Sequence, residues 1–140
     1  MNQVAFYYRK DLLVIKHGEY KADVAMTMGD AVYRDETTGT VKLASTSADF
    51  EGIVDKIIFN TQGNDSLAIN AGERVRCGVG VDYEIVVKGN HTALDALAEG
   101  DEVGVVNGKF VDVDGTTVTQ AVGKLIKKFD SGENVVRIYR

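Results

Sequence analysis

The chain is predicted to be mainly β, a compact barrel or sandwich of short strands with one short helix. Three observations carry that expectation. Fifteen glycines occur with no proline among 140 residues, so turns must be made by Gly, Asn and Asp while every backbone N–H stays free to join a ladder. Short apolar-alternating runs recur along the chain, separated by turn signals. The second half also restates the first at an offset of 71 residues: Asp11, Gly18, Ala22, Ala25, Gly29, Asp30, Val32, Gly52 and Lys56 meet Asp82, Gly89, Ala93, Ala96, Gly100, Asp101, Val103, Gly123 and Lys127.

The nine identities named compare with roughly three expected for ordinary composition. Two explanations account for the excess. One is internal duplication, with repeats at 11–58 and 82–129; the other is convergence, since Gly accepts positive φ and Asp caps its own turn. Under either, Gly29, Asp30, Gly52, Gly100, Asp101 and Gly123 are structural turn residues. No reactive side chain is repeated, which points to a scaffold.

Taken in order, residues 1–10 form an N-terminal arm in which Phe6, Tyr7 and Tyr8 precede Arg9 and Lys10. They are either an edge strand or an extended arm that contacts a partner, because Tyr, Phe and Arg dominate interface hot spots. Residues 11–140 make a single β domain. A first strand is expected at Leu12 to Lys16, and Tyr20 to Met28 is expected to be a helical turn or irregular. Strands follow at Ala31 to Arg34, Thr40 to Ala44 and Glu51 to Phe59. Val75, Cys77, Val79 and Val81 alternate within Glu73 to Lys88, which reads as a strand pair with one buried face.

Thr92 to Gly100 reads as the helix, with Thr92 as N-cap, Asp95 at the third position and Gly100 just past the end. Strands are expected again at Glu102 to Val106, Lys109 to Val113, Val118 to Lys127 and Asn134 to Arg140. Thr38-Gly39 and Asn107-Gly108 are hairpin signals.

Composition narrows the function. The formal charge is −5, contrary to the basic face a nucleic-acid binder needs. Neither a signal-peptide core nor a membrane-spanning stretch is evident, so a soluble protein made in a cytoplasm is expected. The lone Cys77 reads as a buried, inert thiol. His17 and His91 flank Gly18 and Gly89 and read as exposed turn histidines, without zinc-ligand spacing. Asp112-Val113-Asp114-Gly115 opens like a calcium loop but lacks the later ligands and reads as a tight turn. No catalytic, cofactor or metal site is expected.

Gly80-Val81-Asp82-Tyr83-Glu84 is similar to the uridine-binding hairpin of trimeric dUTPases, where Asp would act on water or sugar and Tyr would stack beneath the sugar. That family's Arg-Ser-Gly motif and glycine-rich C-terminal arm are absent, so a dUTPase-like hydrolase is a remote alternative.

A longer likeness covers about residues 28 to 127. Met28-Gly29-Asp30-Ala31-Val32-Tyr33, Gly39-Thr40-Val41-Lys42-Leu43-Ala44 and Phe50-Glu51-Gly52-Ile53-Val54 follow in the order seen in the capsid decoration, or cement, proteins of tailed bacteriophages. Ala98-Glu99-Gly100-Asp101-Glu102-Val103, Asn107-Gly108-Lys109-Phe110 and Ala121-Val122-Gly123-Lys124-Leu125 repeat the pattern. Glu51 stands between Phe50 and Gly52, where the family more often places Phe directly before Gly. The chain resembles this family, and the resemblance implies a non-enzymatic virion protein on the exterior of an expanded head. Its partner would be the major capsid protein, which it would bind as a homotrimer. A β-barrel module of a phage tail or fibre, recognising a surface ligand, is the alternative.

Overall fold

A computed structural model describes residues 13–16, 20–56, 68–80, 82–88, 91–129 and 132–139. The arm residues Phe6, Tyr7, Tyr8 and Arg9, and also His17, lie outside the described residues. Thirteen strands occur among those described: β1 (Leu13–Lys16), β2 (Lys21–Ala22), β3 (Met26–Thr27), β4 (Ala31–Asp35), β5 (Thr40–Leu43), β6 (Gly52–Lys56), β7 (Ala68–Ile69), β8 (Val75–Gly80), β9 (Tyr83–Lys88), β10 (Glu102–Val106), β11 (Lys109–Asp112), β12 (Gly123–Lys128) and β13 (Glu133–Ile138). The expected mainly β class is the observed one. No helix among the described residues is long and apolar enough to cross a membrane.

Two sheets carry the architecture. The first runs β1-β8-β6-β4-β5-β2 and the second β11-β10-β12-β13-β9, with β3 and β7 forming a separate ribbon. Read from β1 and from β9, the two orders are the same: β1-β8-β6-β4-β5 matches β9-β13-β12-β10-β11. The registers also match at the 71-residue offset. Ala31 pairs with Ile53 and Val32 with Gly52, as Glu102 pairs with Lys124 and Val103 with Gly123.

Backbone hydrogen bonds repeat in the same way. Gly29 N–H donates to Val54 O at 2.9 Å and Gly100 N–H to Leu125 O at 2.7 Å; Glu51 N–H donates to Val32 O at 2.9 Å and Val122 N–H to Val103 O at 2.7 Å. The side-chain turn bond recurs too, Thr27 N–H to Asp30 Oδ2 and Ala98 N–H to Asp101 Oδ2, both at 2.9 Å.

The β4–β5 and β10–β11 hairpins form where the sequence places Gly at the turn. Gly39 has φ 69°, and the second turn has φ 48° at Asn107 and 83° at Gly108. Positive φ at both central residues gives the strand-matching turn that Asn-Gly favours.

Period-two alternation then decides which residues are buried. One core lies between the sheets and joins Ala31, Phe50 and Ile53 to Tyr83, Ile85, Val103, Phe110, Leu125 and Val136. The other face of the first sheet buries Val32, Val41, Val54, Val75 and Cys77 against Ala22, Met26 and Ile69. Burying a large apolar side chain contributes about 1.5–3 kcal/mol. Phe50 and Phe110 meet edge to face, 6.0 Å between centroids, and tie the two halves within the shared core.

Four expectations need correction. Of the two readings of Tyr20 to Met28 the helical turn is not formed; the segment is irregular apart from the two short strands β2 and β3, because Ala22 pairs with Val41 and Met26 with Ile69. The helix is only a 3₁₀ turn, Thr92–Ala96, preceded by His91 with no side-chain cap; Leu94 and Leu97 are drawn into the core, and Leu97 is already extended. Residues 118–122 are not strand, and β12 starts at Gly123. Finally, β8 and β9 do not pair with each other. β8 lies between β1 and β6, while β9 pairs with β13, since Val75 and Cys77 enter one core and Tyr83 and Ile85 the other.

Candidate functional site: a buried ionic junction between the sheets

The turn before β4 places a carboxylate inside the protein. Gly29 adopts φ 94°, which glycine tolerates without strain, and Asp30 N–H closes the turn on Thr27 O at 3.0 Å. The Asp30 side chain turns inward and the residue is only 1% exposed. Oδ2 accepts the Thr27 N–H. Oδ1 accepts Lys109 Nζ, which reaches across from the first residue of β11.

His91 completes the cluster at 2% exposure. Its Nδ1 accepts Phe110 N–H at 3.1 Å, so the neutral ring carries its proton on Nε2. Nε2 lies 3.7 Å from Asp30 Oδ1 and makes no hydrogen bond of normal geometry. The ring also packs against Phe110, 5.1 Å between centroids. Burial, and then the Lys109 charge, push the imidazole pKa down to about 3, with the Gly29 backbone opposing. Burial raises the Asp30 carboxyl above the usual range despite the opposing pull of Lys109.

Backbone bonds surround this cluster. Ala31 N–H donates to Gly108 O and Gly108 N–H to Ala44 O, both at 2.8 Å, and Asn107 N–H donates to Ser45 O at 3.0 Å. Val105 N–H donates to Ser47 Oγ at 2.9 Å. The tip of the β10–β11 hairpin is therefore stitched to the first sheet. An imidazole without a solvent face and a carboxylate already holding two donors are placed to hold the halves together rather than to meet a substrate.

The turn residues read from the sequence gather as two matching sets, Gly29, Asp30 and Gly52 in the first sheet and Gly100, Asp101 and Gly123 in the second. A Cβ at Gly52 would overlap the carbonyl of Gly78, and one at Gly123 the carbonyl of Arg137. Glycine is required there by close strand approach. Asp101 is less buried than Asp30, and among the described residues its carboxyl keeps only the local Ala98 bond. Lys109 was not singled out by sequence, and His91 is buried rather than exposed in a turn, because the Phe110 amide and ring enclose it. Only the Asn-Gly signal just before Lys109 pointed to this hairpin.

Other candidates resolve in structural terms. Cys77 is fully buried, and burial raises its thiol pKa to about 12. Asp82 binds Arg137 through both oxygens, at 2.8 and 2.7 Å. Tyr83 is 1% exposed and offers no open ring face for stacking under a sugar. Asp114 accepts bonds from Thr117 Oγ1 and the amides of Thr116, Thr117 and Val118, led by the Thr117 hydroxyl, and these hold its carboxyl well below the usual range. Among the described residues no group of three or more His, Cys, Asp and Glu could hold a metal ion.

Fold and junction together define a two-sheet β protein with matching halves joined through a buried ionic tie. Compared with known proteins, the chain matches no family model and no curated sequence.

Proposed function

We propose that the protein is a structural decoration protein, binding the outer surface of an expanded phage head and stabilising it against internal pressure. The observation that carries this reading is the ordered Gly-Asp turn, Gly-turn hairpin and Gly-led strand, which resembles the cement proteins in both halves of the chain. Each glycine or aspartate of that pattern has a structural task in its sheet, as a shell-binding scaffold requires. The partner is the major capsid protein, and many copies acting together stabilise the assembled shell by mass action. Within this reading Phe6, Tyr7, Tyr8 and Arg9 form the contact arm, adding a strand to an exposed sheet edge of the shell.

Co-sedimentation with decoration-free capsids tests it. Stoichiometric binding to expanded shells, with none to unexpanded precursors, is the expected result; absence of binding to both overturns the proposal. Removing residues 1–10 is expected to abolish binding while leaving the unfolding transition unchanged, and unaltered binding would remove the arm from the mechanism.

A further inference from the structure

The two halves are stacked in the same orientation, and this leaves one face unmatched. Ala31, Tyr33 and Ile53 lie on the back of the first sheet and pack against the core face of the second, which supplies Val103, Phe110 and Leu125. At the 71-residue offset Ala31, Tyr33, Ile53 and Asp55 correspond to Glu102, Gly104, Lys124 and Ile126. Those residues belong to the back of the second sheet. Gly104 is covered by Val118, Gln120 and Ser47, but Glu102, Lys124 and Ile126 are exposed, so around β12 the face that is an internal interface in the first half is a surface in the second.

That surface is suited to association. Four of the five exposed large apolar residues among those described, Val106, Ile126, Phe129 and Tyr139, belong to the second half, at 36–48% exposure, and the fifth is Val24. Lys124, Ile126, Arg137 and Tyr139 line a groove of about 460 Å³. Val86 and Val135 pair across the strands and alternate with the core-facing Ile85, Val87 and Val136, but both are themselves buried, so Ile126 and Tyr139 form the exposed apolar centre of this face. Glu84 and Glu102 share this face with Lys124 and Arg137. A two-fold interface places one patch against its own copy, and a surface with an apolar centre and both signs of charge can meet that requirement.

Head-to-tail continuation is blocked, because the front of the first sheet is already closed by Ala22, Met26 and Ile69. We infer that the back of the second sheet, centred on Ile126 and Tyr139, is the contact surface for a second copy of this chain, paired back to back about a two-fold axis. Lys124 of one copy then faces the acidic residues of the other. This contact goes beyond capsid binding and can be read on the isolated protein. It also differs from the trimer that the family resemblance implies on a shell, so mass distinguishes the two.

Sedimentation equilibrium of the full chain, at concentrations up to about 100 μM, is the test. The expected result is a two-copy mass, with dimerisation weakened at least about tenfold by Ile126→Glu and also weakened by Lys124→Glu. Both positions are exposed, and an unchanged unfolding midpoint confirms that each variant is folded. If Ile126→Glu does not fold, Lys124→Glu carries the test alone. A monomer or a three-copy mass for the wild type overturns the inference, as does a dimer that neither folded variant weakens.

Discussion

The carboxylate of Asp30 holds the ammonium of Lys109 across the gap between the sheets, 79 residues apart in sequence. Its counterpart Asp101 occupies the equivalent turn, bonds the equivalent amide and reaches no such partner among the described residues. One turn motif thus does two jobs: locally it closes a bend, and in the first half it also anchors the second.

This asymmetry predicts unequal costs for one substitution. Asp30→Asn keeps the turn acceptor but leaves the Lys109 tie uncharged, and disrupting a buried pair costs about 3–5 kcal/mol at the upper end; because Lys109 is partly exposed, about 2–3 kcal/mol is expected. Asp101→Asn should cost about 1 kcal/mol or less. Urea unfolding of the two variants compares them directly, and equal losses would refute the anchoring role of Asp30.

Acid should act through His91. The unfolded chain takes up a proton on this ring below about pH 6.5, whereas the folded protein resists until about pH 3. The unfolded state therefore binds more protons across that window. Stability contributed by His91 is fully present above pH 6.5 and is lost as pH falls, by about 2 kcal/mol between pH 6.5 and 5. Asp30, whose carboxyl is raised, works the other way, since its folded form is protonated first. His91→Gln keeps an acceptor for Phe110 N–H and removes the ring's titration. The variant's stability-against-pH curve should be flatter over that range, and parallel curves would contradict the assignment.

Gly52 and Gly123 should behave alike. Each lies where a Cβ would strike a neighbouring strand's carbonyl, so Gly52→Ala and Gly123→Ala are each expected to lose about 2–3 kcal/mol through forced strand separation. Gly115 has open space beside it but φ 80°, and Gly115→Ala is expected to cost about 1 kcal/mol. Thermal unfolding of the three variants ranks them. Losses at Gly52 and Gly123 no larger than the loss at Gly115 would mean that close strand approach does not set the requirement at those two positions.

Much of the fold was legible because its signals are local. Asn107-Gly108 dictates positive φ at two successive residues, and the hairpin follows. The Gly-Asp steps at Gly29 and Gly100 close equivalent turns, and the alternation of Val75 and Cys77 marks a strand with one buried face. The candidate site was less legible. Asp30 was visible as a turn residue, but its ion pair required Lys109 to arrive from the other half, and His91 looked like any turn histidine until the Phe110 amide and ring enclosed it.

By itself, then, the sequence determined the turns and the strand-rich class, and it held the matched Gly and Asp positions of the two halves, since these depend on φ preferences and period-two patterning over a few residues. Tertiary structure decided that β8 and β9 enter different sheets, that the halves stack in one orientation, and that Asp30 but not Asp101 becomes a buried anchor. Those outcomes depend on which faces meet across the chain, where burial of apolar area and the cost of desolvating a charge are settled jointly by residues far apart in sequence.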